Sequence, residues 1–72
     1  MIERLKLLNP DSLSHEITEF GTLHTFVKGD YTCFLGEYNG SEAILVSFKN
    51  DVKLNSYDGS CNEVFNYLSS LI

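Results

Sequence analysis

The sequence predicts an α+β fold: a three- to four-stranded antiparallel meander with a C-terminal helix and an N-terminal helix. Two β-rich runs flank Asn39-Gly40, a strong hairpin signal because a type I′ turn needs positive φ at both central residues. Beyond Gly59 the apolar residues change from alternation to helical spacing. The 72 residues leave room for one domain, 1–72, with one small core.

The N-terminal element rests on end signals. Asn9-Pro10 has the form of an N-cap followed by proline at the first helical position, and Gly21 is placed to end the helix. Leu13, Ile17 and Phe20 then share one face. These signals favour a helix over a strand from His15 to Phe20, which the β-branched Ile17 and Thr18 would also suit.

The strands follow. Thr22–Lys28 runs into Gly29-Asp30, which suits a type II′ turn with glycine first and sets Phe26 opposite Cys33. Tyr31–Tyr38 and Ser41–Phe48 form the central hairpin. A two-residue turn there makes Tyr38 face Ser41, Leu35 face Ile44 and Cys33 face Val46. Asn50-Asp51 precedes a fourth strand, Val52 to Leu54, ending near Tyr57.

The last element begins at Ser60-Cys61-Asn62-Glu63, whose S-x-x-E spacing is that of a capping box. Val64, Leu68, Leu71 and Ile72 recur at helical spacing behind it, with Phe65 beside them.

These pairings put Phe26, Tyr31, Cys33, Leu35, Ile44, Val46 and Phe48 on one sheet face. Leu23, Val27, Phe34, Ala43, Leu45, Val52 and Leu54 fall on the other. Both faces are apolar, whereas an antiparallel sheet usually covers one and wets the other. Either the helices cover opposite faces, or one face is left for another molecule. A one-residue slip in the register would exchange the two sets.

Charge narrows the function. Five basic residues against ten acidic ones give a net of −5, and the basic residues are scattered. Direct nucleic-acid binding is disfavoured, because it needs a basic stripe to displace counterions from phosphates. Met1–Leu8 lacks the apolar h-region of a signal peptide, and no run is long enough to span a membrane. The expectation is a cytoplasmic protein with Cys33 and Cys61 as free thiols.

No catalytic or metal motif stands out. His15, His24, Cys33 and Cys61 lack the knuckle spacings of a zinc site. Neither a calcium loop nor a phosphate-cradling glycine loop occurs, so no cofactor is indicated. His24 lies diagonal to Cys33 on the expected sheet, with β-carbons roughly 7 Å apart. That is loose for a thiol dyad, and Cys33 reads better as a buried small hydrophobe.

The sequence reading is a non-catalytic module, an inhibitor or adaptor, that binds a protein partner with a basic surface. Small acidic proteins directed at host machinery by phages and mobile elements offer a compositional analogy. The expected contact is an acidic sheet end. Glu37 and Glu42 are placed opposite one another, Asp58 near them, and Tyr38 serves as the amphipathic anchor. The alternatives are a homodimer formed through the second apolar face and a thiol enzyme using Cys33 and His24.

Overall fold

Four long alternating runs draw the chain into a six-stranded antiparallel sheet in a computed structural model that describes residues 1–72. The elements are α1 (Ile2–Lys6), β1 (Ser12–Thr18), β2 (Gly21–Lys28), β3 (Tyr31–Tyr38), β4 (Glu42–Lys49), β5 (Val52–Lys53), β6 (Tyr57–Ser60) and α2 (Cys61–Leu71). Strands β1 to β5 are neighbours in sequence order, and β6 pairs with the other end of β4. The far edge is therefore one interrupted strand, β5 and then β6. The α+β meander with a helix at each terminus is as the sequence predicts.

The N-terminal helix lies elsewhere than expected. It occupies Ile2–Lys6, while the segment after Pro10 is β1, paired with β2 from Ser12↔Val27 to Thr18↔Gly21. Asn9 adopts φ 55, so the chain turns at Asn9 instead of starting a helix there. The register explains why strand wins: Leu13 lands opposite Phe26 at the rim of the core. Position-specific pairing overrides the helix-end signals of Asn9 and Pro10.

The central hairpin is shifted by one residue. Asn39 and Gly40 have the positive φ values of a tight turn, 51 and 76, but Ser41 is an extra residue before the ladder resumes at Tyr38↔Glu42. Leu35 thus faces Leu45 and Cys33 faces Ser47, not Ile44 and Val46. Since side chains alternate, the slip exchanges the faces of β4. Ser41 has its own employment: its carbonyl accepts the Cys61 amide at 2.9 Å, tying the turn to the start of α2. The β2–β3 register is the predicted one, with Phe26 opposite Cys33.

Both helices pack on the same face, called inner here. Leu5 of α1 and Val64 and Leu68 of α2 are buried against Phe26, Cys33, Leu35, Ala43 and Leu45. Tyr57 and Tyr67 stack with ring centroids 4.5 Å apart, fixing α2 on β6. Arg4 hydrogen-bonds the Asn62 Oδ1 at 2.8 Å and lies over the Phe65 ring, joining α1 to α2. The Ser60 hydroxyl accepts from the Glu63 amide, and the Glu63 carboxylate accepts from the Ser60 amide, completing the predicted capping box. No helix is long and apolar enough to cross a membrane.

Candidate functional site

The opposite face of the sheet has no helix over it. Its side chains follow from the register in cross-strand rows: Thr18–Gly21–Tyr38–Glu42, Glu16–Leu23–Gly36–Ile44–Asp58, Ser14–Thr25–Phe34–Val46, and Ser12–Val27–Thr32–Phe48–Lys53. Leu23, Phe34 and Ile44 are exposed at 38%, 37% and 44%. Phe34 and Phe48 meet edge to face with centroids 5.9 Å apart. On β4 the division is lopsided. Ala43, Leu45 and Ser47 point to the helices, while the larger set Ile44, Val46 and Phe48 points away.

Glycine shapes the outer face. Gly36 has no side chain between Leu23 and Ile44, and leaves a dent in the second row. Gly21, with φ 149, is required for another reason: a Cβ there would stand 1.8 Å from the Glu37 carbonyl oxygen. Beside these glycines lies an open notch of about 330 Å³, whose lining includes Phe20, Leu23, Tyr38 and Glu37 together with Thr18, Gly21, Thr22 and Gly36. Tyr38 is the one tyrosine on the outer face. Tyr57 and Tyr67 hold α2, and Tyr31 sits at the inner rim beneath the Lys49 ammonium.

Of the four residues expected at an acidic contact, three come together. Tyr38 pairs directly with Glu42, and Asp58 pairs with Ile44 in the adjoining row. Glu37 does not join them. It lies opposite Ala43 on the inner face, so the expected Glu37–Glu42 repulsion across the hairpin is absent. Its Oε2 instead lies 2.6 Å from Nε2 of His24, an imidazole only 1% exposed. The Cys61 thiol donates to the other Glu37 oxygen at 3.8 Å. Glu16, opposite Leu23, is an acidic side chain on the same face as Tyr38 but at the far β1 edge, across the sheet from Glu42 and Asp58.

The thiols sit in settings that favour the protonated form. Burial pushes the Cys33 thiol up to about 11. Burial also raises the Cys61 thiol, and the adjacent Glu37 carboxylate adds to the effect. His24 is occupied by Glu37, and no three His, Cys, Asp or Glu side chains gather as a metal-ligating set.

Sequence reasoning missed Leu23, Gly36 and Ile44 as neighbours of Tyr38. The signal for the dent was present, since a glycine within a strand run marks a bulge or a close approach. The β4 residues were lost to the Ser41 slip. No known family model matches the chain, and no characterised protein or solved structure does either.

Proposed function

We propose that this protein is a non-catalytic protein-binding module that contacts its partner through the outer sheet face. The observation that carries the reading is β4, which directs its larger apolar residues, Ile44, Val46 and Phe48, away from the only helices in the chain. In a domain of this size, with core surface scarce, such a strand is costly unless its outer face has a use.

The chemistry of the rim selects the partner. Glu16, Glu42 and Asp58 flank the apolar rows, and Lys53 at the far end is the only cation among them. A face-to-face pair of identical copies would set two acidic rims together. A partner with basic residues around an apolar or aromatic anchor fits better: the anchor enters the notch by Tyr38, and the basic residues meet the carboxylates. Such a module acts as an inhibitor or adaptor by covering its partner's basic surface.

The test begins with affinity capture from the source cells, using wild type and Ile44→Asp as parallel baits. Ile44 is 44% exposed but pairs with Asp58, so the Ile44→Asp bait is used only after circular dichroism and a melting curve show it folded, with Ile44→Ser as the uncharged alternative. A protein held by wild type and lost from Ile44→Asp, then shown to bind directly when purified, supports the reading. If every directly binding protein is held equally by both baits, the outer face is not the contact.

A further inference from the structure

We propose that β1 is a homotypic pairing edge: two copies of this chain join antiparallel through Ser12–Thr18, about a twofold axis at His15, into one continuous sheet. The inference rests on β1 alone and stands or falls independently of the outer-face reading.

The two edges of the sheet differ. The far edge is broken into strands of two and four residues. Edge β1 runs for seven residues in unbroken register with β2, and its other side has no neighbour. Unpaired backbone amides and carbonyls on a long edge are a template for another strand, and proteins commonly blunt such edges with lysine, proline or a bulge. None of these interrupts Ser12–Thr18, because Pro10 precedes the strand and the register contains no bulge.

The residue pattern selects a second copy as the occupant. A twofold contact requires that residue i meet j while j meets i. Around His15 the strand reads alike in both directions: Ser14 and Glu16 are polar at one step, Leu13 and Ile17 aliphatic at two, Ser12 and Thr18 hydroxylic at three. Antiparallel pairing about His15 therefore sets Ile17 of each copy against Leu13 of the other, on the inner side. Ile17 is 81% exposed in the single chain, beyond the reach of either helix. Glu16 of each copy meets Ser14 of the other, so the strands bring no carboxylates directly opposite.

Sedimentation velocity on the full chain, from micromolar to millimolar concentration, tests the proposal. Wild type is expected to dimerise, with slower amide exchange across Ser12–Thr18 in the dimer. Ile17→Lys sets an ammonium beside Leu13 of the other copy and raises the dissociation constant by at least about tenfold. His15→Cys supplies a readout of register, since the axis sets the two introduced thiols face to face. Diamide should link the His15→Cys protein covalently and Ser14→Cys much less, with wild type as the control for Cys33 and Cys61. A monomer throughout overturns the proposal. So does a dimer that survives Ile17→Lys but is lost in Ile44→Asp, which pairs through the outer face, or one whose β1 edge takes up only segments of other proteins.

Discussion

His24 Nε2 and Glu37 Oε2 lie 2.6 Å apart on the inner face, on a diagonal two residues out of register between β2 and β3. The imidazole is shut from solvent, and its Nδ1 has no partner. Glu37 therefore accepts the one hydrogen bond that this buried ring donates. Removing it strands both nitrogens, which costs about 1–3 kcal/mol for an unsatisfied buried polar group. Glu37→Ala should lower the urea midpoint accordingly, and Glu37→Gln, which keeps an acceptor, should lower it less. Equal midpoints for Glu37→Ala and wild type would show that the pair does not stabilise the fold.

Ser47 presents the opposite case. Its hydroxyl is buried on the inner face of β4 without a partner. Ser47→Ala removes an unsatisfied group with little change of shape, so stability should be unchanged or rise by up to ~1 kcal/mol. A clear loss in thermal or chemical denaturation would mean that the hydroxyl is bonded in solution.

The cap at α2 makes the conventional prediction. Ser60→Ala removes the acceptor of the Glu63 amide, at 3.1 Å, and should cost about 1 kcal/mol. An unaltered denaturation midpoint would rule out a stabilising cap.

Cys33 gives a pH dependence with a definite sign. Its thiol is raised from 9.0 to about 11 in the fold by burial. Below 9 the thiol is protonated in both folded and unfolded chains and adds no slope. Between the two values the unfolded chain has lost the proton while the folded chain keeps it, so stability falls as pH rises. The loss amounts to roughly 2–3 kcal/mol once both values are passed. The Cys61 thiol, also raised by burial, acts in the same direction, so the readout is the difference between wild type and Cys33→Ala from pH 8 to 11. The variant should lack this part of the decline, and parallel curves would contradict the assignment.

What the sequence disclosed divides along physical lines. Signals complete within a few residues were legible: the capping box at Ser60, the positive φ of Asn39 and Gly40, and the Phe26–Cys33 register set by Gly29. Signals settled by distant partners were not. Asn9-Pro10 carries helix-start chemistry, yet Leu13 is recruited by Phe26 across a hairpin. Ser41 is bulged where its carbonyl meets the Cys61 amide, a contact made twenty residues along the chain. That one residue moved Ile44 outward and decided which β4 side chains the uncovered face carries. It also set Glu37 opposite Ala43, on the side of the sheet away from Tyr38, Glu42 and Asp58.

Association kinetics with the captured partner, at low and high salt, test the binding account most directly. For wild type the on-rate should fall as salt rises, because steering by exposed charges is screened over roughly 8 Å at physiological ionic strength. Reversing Glu42 and Asp58 to Lys should slow association and flatten that salt dependence. Tyr38→Ala should instead raise the dissociation rate, as loss of an anchor does. If the double reversal leaves association untouched and Tyr38→Ala leaves dissociation untouched, the outer face is not where this protein binds.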